Sequence, residues 1–392
     1  MEPDLFCFFL SGEKKEVLPG SELWELPLSG KNTGFSSDTP SERKLQDAVI
    51  TIGDYFLASC RFLSENNFSI LKAGLEVVCK RSVLTGQIDR IVVFLEKHGA
   101  FYHPLKIQVV VHGFPECCFV LNGAVSKSGL SLLENEYKII SRLNKTHYVQ
   151  RHLPMVFGVD VITTDKGRIG FFLGEWFDGY KEFHATQDHG IRQVVIWESD
   201  GKCHYISEVA AFPIYQEISR ILTCYYDIET FDQIFPWHHA AGDFIVRQEA
   251  GKVHVRLISV RGYSPLTEFG ADEKDKQEHI LPSLLLFFLN LLLRMRLDRL
   301  NGTGQTVMLG KNMIKPVVEG FLHALDEKSA VCGFGNLRLI FIAFFQQFSL
   351  EQVMGIMENI LESYQSNSEE IALIKENFES HCRTLHVIFS GF

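Results

Sequence analysis

Residues 134–143 read Glu134-Asn135-Glu136-Tyr137-Lys138-Ile139-Ile140-Ser141-Arg142-Leu143. Residues 170–184 read Gly170-Phe171-Phe172-Leu173-Gly174-Glu175-Trp176-Phe177-Asp178-Gly179-Tyr180-Lys181-Glu182-Phe183-His184. In the first stretch Glu136 is followed by apolar residues one helical turn and two turns on. Ile139, Ile140 and Leu143 therefore share a buried helix face beside the acid. In the second, an apolar edge strand runs into an acidic-aromatic segment and then a glycine turn.

The segments around these two complete the pattern. Residues 105–112 (LKIQVVVH) read as a strand, Gly113-Phe114-Pro115 as a turn, and residues 117–124 as a second strand. Two more strands are expected at 156–162 and 170–176, either side of Thr164-Asp165-Lys166-Gly167. A further hairpin is expected over 193–209, around Asp200-Gly201. From Phe212 the chain turns mainly helical: Ile214, Ile218, Ile221, Leu222 and Tyr225 line one face. A strand pair at 244–247 and 253–258 interrupts it. Residues 278–380 return to helix, with breaks at 301–304 and 333–335.

Upstream, residues 1–40 are punctuated by Pro19-Gly20, Gly30, Gly34 and Pro40. Ser41 and Glu42 suit the start of a helix that carries Leu45, Val49, Ile52, Phe56, Cys60 and Leu63. Further helices are expected at 69–84 and 86–97, the last ended by Gly99. The spacing thus predicts a helical preface of about 100 residues.

Composition bounds the function. The chain has 392 residues, 46% hydrophobic and 22% charged, with 32 phenylalanines, which suits a globular protein with a sizeable core. Its net charge of -10 disfavours nucleic acid as main partner. Nine scattered cysteines, without zinc or redox spacing, read as free thiols in a reducing, cytoplasmic setting. Cys117 and Cys118 read as strand residues on alternate faces rather than nucleophiles. Residues 5–10 are too short, and lack the basic flank, for a signal peptide. Residues 280–293 are strongly apolar, but about 14 residues fall short of a membrane span, so a buried core helix is expected there.

A small sheet with one helix, followed by a helical half, resembles the protein-kinase superfamily, including the aminoglycoside phosphotransferases. The resemblance covers about residues 100–300, and order and spacing carry it. A further stretch belongs to it: Pro236-Trp237-His238-His239-Ala240-Ala241-Gly242-Asp243-Phe244-Ile245-Val246, then Val255-Arg256-Leu257-Ile258-Ser259-Val260-Arg261-Gly262. This resembles the catalytic loop, a turn, and the metal-binding strand end. The resemblance implies an α+β, two-lobed fold with a small antiparallel sheet plus one helix, a mainly helical second lobe and a helical N-terminal extension. The expected divisions are 1–100, 101–180 and 181–392. It also places Glu136 at the helix glutamate that pairs with a strand lysine, and Glu175, Trp176, Phe177 and Asp178 at the hinge that grips adenine.

The departures are specific. Phosphoryl transfer needs a cation on the phosphates, carboxylates for magnesium and a group that orients the attacking hydroxyl. Asn122 stands where the strand lysine is expected and cannot neutralise a phosphate. His238 aligns with the catalytic aspartate, Asp243 with the loop asparagine and Ser259 with the metal-binding aspartate. No glycine-rich phosphate loop is present. Three readings stand side by side. One is a register slip of one or two residues. The second is a degenerate kinase fold that binds a nucleotide or small ligand, or acts as a scaffold for a protein partner. The third is an unorthodox ATP- and magnesium-using site with His238 as base, Asp243 retained and Arg261 as the positive charge.

Blander assignments stand beside these. Adjacent His238 and His239 point to opposite sides of an extended segment and rarely share a metal, so no metal site is assigned. Glu136 can be a solvated helix residue, with Glu134 the inward acid instead. Asp178 and His184 can simply shape the segment after the hinge. Ser259 lacks a nucleophile-elbow context, which disfavours a hydrolase. A purely structural interaction module is the remaining class, and no membrane partner is expected.

Overall fold

The computed structural model describes all residues except 1–4, 12–14, 29–48, 97–101, 147–150, 199–200, 239–241, 267–275, 334 and 365–367. Ser41, Glu42, Leu45, Gly99, Asp200 and His239 therefore lie outside the described residues. The chain divides into two compact units, residues 1–142 with 154–178, and residues 143–153 with 179–392. The stretches expected as preface and first lobe thus belong to one unit. The chain is α+β.

The first unit is built on a seven-stranded sheet. Its strands are β1 (Phe6–Leu10), β2 (Lys15–Glu16), β3 (Ile88–Leu95), β4 (Leu105–Val111), β5 (Cys117–Ala124), β6 (Val156–Thr164) and β7 (Gly167–Glu175), in the order β2-β1-β3-β4-β5-β7-β6. Among the described strands of this sheet β1 and β3 pair in parallel and the other neighbours are antiparallel. The strands from β4 to β7 fall where the sequence placed them.

The helical preface needs correction. A short α1 (Glu22–Glu25) precedes α2 (Ile52–Cys79), which is interrupted at Glu65, Asn66, Asn67 and Phe68 by non-helical backbone. That break matches the expected gap between two helices. Residues 86–97, expected as a helix, instead hold β3. Ile88, Ile91, Val92 and Leu95 recur at helical spacing, yet Ile91, Val92 and Val93 are all buried. A strand covered on both faces loses its alternation, so its apolar pattern imitates a helix. The β-branched run Ile-Val-Val is the feature that favours the strand.

Side-chain alternation divides the sheet's two faces. Phe119, Leu121, Phe171 and Leu173 pack with Tyr55, Phe56, Phe62 and Leu63 of α2. On the other face Ala124 and Phe172 pack with Leu133 and Tyr137 of α3 (Lys127–Thr146) and with Tyr102. Tyr55 is fully buried, its hydroxyl donates to the His103 carbonyl, and its ring lies 5.2 Å from Phe171. Gly123 makes room for it: a Cβ there would sit 1.9 Å from the Tyr55 hydroxyl.

The second unit is mainly helical. Helix α4 (Glu208–Cys224) is capped by the Ser207 side chain, which accepts from the Ala210 N–H. It packs on α6 (Ile314–Cys332), where the Ser219 hydroxyl donates to the Val317 carbonyl. Helices α5 (Lys276–Met295), α7 (Leu337–Phe345), α8 (Leu350–Glu362) and α9 (Ser368–Ser390) complete it. Phe288 of α5 gathers Phe321, Phe341, Phe345 and Phe389 around one aromatic core, with ring centroids 4.4–6.1 Å away. The stretch Gln277–Met295 has the length and apolarity of a membrane span, but 61% of that window is buried inside the protein, as in a core helix.

Among the described residues four small sheets thread these helices. A three-stranded sheet has the order β10 (Cys203–Ser207), β9 (Ile191–Trp197), β8 (Phe183–Asp188). Strands β11 (Asp232–Ile234) and β14 (Tyr263–Pro265) pair, as do β12 (Phe244–Glu249) and β13 (Lys252–Leu257). Residues 297–308 were expected to be helix with a break. They form a hairpin instead, β15 (Leu297–Arg299) with β16 (Thr306–Met308), turned at Asn301 and Gly302, both at positive φ.

Gly123→Ala is expected to destabilise the protein by about 2 kcal/mol, because the added methyl must displace the Tyr55 hydroxyl from a packed core. Urea unfolding of wild type and variant measures this. An unchanged midpoint would show that the core absorbs the methyl and that Gly123 is not needed for Tyr55.

Candidate functional site

The pairing of β11 with β14 decides what meets in the second unit. Ile234 lies opposite Tyr263, so residues 235–238 run beside residues 259–262. The Phe235 N–H donates to the Gly262 carbonyl at 3.1 Å. Gly262 is required by this approach, since a Cβ there would lie 2.4 Å from the Phe235 carbonyl oxygen. Trp237 is buried and meets Phe244 edge-on at 6.0 Å. The turn at Gly242, with φ +68, then delivers Asp243 to the start of β12.

Asp243 is 1% exposed, and three N–H groups converge on its carboxylate. Arg261 Nη1 donates to Oδ2 at 2.6 Å, and Nη2 donates to Oδ1. The His238 backbone N–H donates to Oδ2 at 2.8 Å. The Asp243 carbonyl also accepts from the Ile258 N–H at 2.8 Å. This is the fork-on-fork geometry by which a guanidinium neutralises a carboxylate. Ser259 and Val260 lie on the strand end between Ile258 and Arg261. Ser259 is half-buried and Val260 fully so.

His238 has a second neighbour that sequence reasoning missed. Its Nε2 lies 3.5 Å from Glu370 Oε1, at the N-terminal end of α9. The imidazole holds the Glu370 carboxyl below its ordinary value, against the upward push of burial, with Arg294 and Arg299 assisting. The Arg294 guanidinium is stacked between the Phe235 ring at 4.7 Å and the Tyr364 ring at 4.4 Å. No local pattern announces Glu370, which belongs to a helix far along the chain.

Magnesium does not fit Asp243 as this structure arranges it. A hard divalent cation needs open carboxylate lone pairs and a surplus of negative charge. Here the oxygens already accept from Arg261 and His238, and the guanidinium cancels the charge. Among the described residues no group of three or more His, Cys, Asp or Glu is arranged to hold a metal.

The remaining candidates lie in the first unit. Asn122 is half-buried on β5, opposite Phe172, on the sheet face that α3 covers. Glu136 is 1% exposed and accepts a hydrogen bond from the Tyr102 hydroxyl at 2.6 Å. It is therefore the inward acid of α3 and not a solvated residue. Glu134 is exposed and pairs with Lys138 one turn on, at 2.7 Å. In the hinge-like segment the Glu175 N–H donates to the Met155 carbonyl, while its carboxylate accepts from the Met155 N–H at 3.1 Å. The Lys106 ammonium sits over the Trp176 ring at 5.0 Å. Phe177 is half-buried and Asp178 exposed. An open groove of about 510 Å³ in this unit is lined by Arg61, Ser64, Glu65 and residues 160–163, and contains none of the candidates.

His184 is not a turn residue. It lies in β8, 2% exposed, with Nε2 at 2.8 Å from Glu182 and Nδ1 at 3.6 Å from the buried Asp298 of β15. Burial works against the imidazolium, but Asp298 and Glu182 outweigh it and raise the pKa to about 9. Asp298 also accepts from the Ala185 N–H at 2.7 Å, so the cluster ties β15 to β8.

No family model matches the sequence, and no curated protein matches it. Among solved structures, the chain is similar to a Drosophila melanogaster PAN3 pseudokinase at 8% identity with a TM-score of 0.25. That match covers 74% of this chain and 66% of the other. An overlap of this size carries no argument about fold or function.

Two outcomes test the electrostatics. Arg261→Gln leaves a buried carboxylate without its counter-charge and is expected to cost about 3 kcal/mol in urea unfolding. Asp243→Asn combined with Arg261→Gln should recover much of that loss, whereas strictly additive losses would disprove the pairing. His184 has a folded pKa raised above its ordinary value of about 6.5. The stability it contributes is therefore complete below that value and is lost as pH rises through about 9. The gap in unfolding midpoint between wild type and His184→Gln should be wide at pH ~6 and narrow above pH ~9. A gap that does not change with pH would rule out a charged His184.

Proposed function

We propose that this chain is a catalytically degenerate, kinase-like protein that works as a binding module or scaffold rather than as a magnesium-dependent phosphotransferase. The observation that carries the reading is the Arg261 guanidinium seated bidentately on the buried Asp243 carboxylate. The resemblance makes Asp243 the remaining loop residue able to hold a metal. In this chain that carboxylate is consumed by an internal ion pair, and Ser259 cannot replace the missing aspartate. Asn122 offers no charge to a phosphate, and the charge of Arg261 is spent on Asp243. The partner on this reading is a protein or a small ligand in the cytoplasm, with a nucleotide as one candidate. The kinase-like frame rests on the resemblance, and the Asp243–Arg261 pair is what supports a loss of transfer.

One observation favours a second reading. A carboxylate beside a histidine is the arrangement that orients a general base, and Glu370 lies beside His238. On this reading the chain is an atypical ATP-dependent phosphotransferase in which His238 accepts the hydroxyl proton.

Thermal-shift titration with ATP, alone and with magnesium or manganese, separates them. The scaffold reading expects no stabilisation that depends on the metal, and no phosphate release from ATP. A rise of a few degrees that requires the metal would overturn it, since only a ligand bound to the folded state raises the midpoint. If phosphate is released, its loss in His238→Ala supports the base role, and its persistence removes that role. A shift with ATP alone identifies a nucleotide-binding module without transfer.

A further inference from the structure

The first unit contains a pair of thiols that the function above does not use. Cys79 is the last residue of α2 and Cys117 is the first residue of β5. Their sulfurs lie 3.8 Å apart. Cys79 is half-buried and Cys117 is 3% exposed. We propose that Cys79 and Cys117 are an oxidation site, forming a reversible disulfide that fastens the end of α2 to the sheet when the protein meets a peroxide.

The backbone on both sides suits closure. A disulfide needs a sulfur–sulfur distance of about 2.05 Å, so the thiols must approach by a further ~1.8 Å. Cys79 ends its helix, and Lys80 after it is left-handed at φ 56, so the last turn adjusts without disturbing the buried part of α2. The two segments are already joined next to the pair. The Arg81 guanidinium lies 4.0 Å over the ring of Phe114, in the turn between β4 and β5. The Cys117 thiol is also oriented, donating to the Pro115 carbonyl at 3.4 Å.

The order of steps follows from burial. Cys79 meets solvent, and its thiolate attacks one oxygen of hydrogen peroxide. The O–O bond breaks, hydroxide leaves and takes up the proton that the Cys79 thiol had released, forming water, and Cys79 becomes a sulfenic acid. Burial and the neighbouring Cys79 push the Cys117 thiol up to about 12, so it stays protonated and is not the first to react. It then attacks the Cys79 sulfur. The S–O bond breaks, the S–S bond forms, and the Cys117 proton leaves with the hydroxyl as water. Two thiols lose two electrons, and one peroxide is reduced to two waters. A resolving thiol in contact with the sulfenic acid also prevents further oxidation to the irreversible sulfinic state.

Cys118 is the built-in control. It faces the opposite side of the sheet, where strand alternation sends it away from α2. It is one residue from Cys117 yet cannot substitute for it without a register slip.

The full chain treated with hydrogen peroxide, alkylated and mapped without reduction tests the proposal, with folding followed by circular dichroism. The expected result is a mass loss of two hydrogens, a linked Cys79–Cys117 peptide, and reversal by dithiothreitol. Cys79→Ser abolishes the link and Cys118→Ser retains it. The bridge closes a loop between residues 38 apart, so the oxidised protein should melt on the order of 5 °C above the reduced one. The proposal is overturned by linkage through Cys118 or any other cysteine, by a link that survives Cys79→Ser, or by sulfinic acid at Cys79 with Cys117 still free. Absence of any mass loss overturns it as well.

Discussion

A carboxylate that is 1% exposed cannot stay charged without compensation, and Asp243 meets this constraint through Arg261 and the His238 N–H. Removing such a group from water costs several kcal/mol, which only close, well-directed donors offset. The compensation fixes more than one side chain. The pairing of Ile234 with Tyr263 runs residues 235–238 beside 259–262, and the Ile258 N–H on the Asp243 carbonyl brings Asp243 to the same place, within reach of Arg261. The same close run requires Gly262 and seats Trp237 against Phe244. The segment that resembles a catalytic loop is thus held by an ion pair at its centre and a two-stranded ladder at its root.

An internal guanidinium and an external magnesium ion answer the same need by different means. Both bring positive charge to a buried acid. A metal leaves coordination positions open for phosphate oxygens. A guanidinium bound as a fork presents its donors to the carboxylate and leaves no coordination site. An arginine at this position therefore stabilises the loop whether or not a ligand is present. The ion pair therefore holds the loop's shape from within the unit.

Much of this was legible in sequence because it was local. The strands from β4 to β7, α3, α4 and the β12–β13 hairpin follow alternation, helical spacing and glycine turns. The gap in α2 was visible as a break in apolar spacing. Strand β3 escapes the spacing rule for a physical reason: Ile91, Val92 and Val93 are buried on both faces, so periodicity carries no strand signal. The β15–β16 hairpin was missed because each strand is only three residues long and lies within an apolar helical stretch. At the site, the residue types and their order could be read, but their partners could not. Glu370, Tyr102 and Met155 are brought in by tertiary packing, and no spacing rule connects them to His238, Glu136 or Glu175.

Those partners share a pattern. Glu136, Glu175 and Asp243 are three acids at positions where the resemblance expects function. Each has a structural partner within its own unit: a phenol from Tyr102, a backbone N–H from Met155, a guanidinium from Arg261. In a catalytic site the acids are held so that one face stays available to substrate or metal. Here the donors come from the fold itself, and for Asp243 they cover both oxygens. Asn122 bears on the pattern too, since the resemblance places a lysine where this chain has a neutral amide, and Glu136 accepts from the Tyr102 hydroxyl. A neutral donor such as a phenol offsets part of the cost of burying an acid without a second ion having to be desolvated. At position 261 the same economy runs through a charge, since the Arg261 guanidinium offsets the burial of Asp243 from within the fold and needs no bound ion to do so.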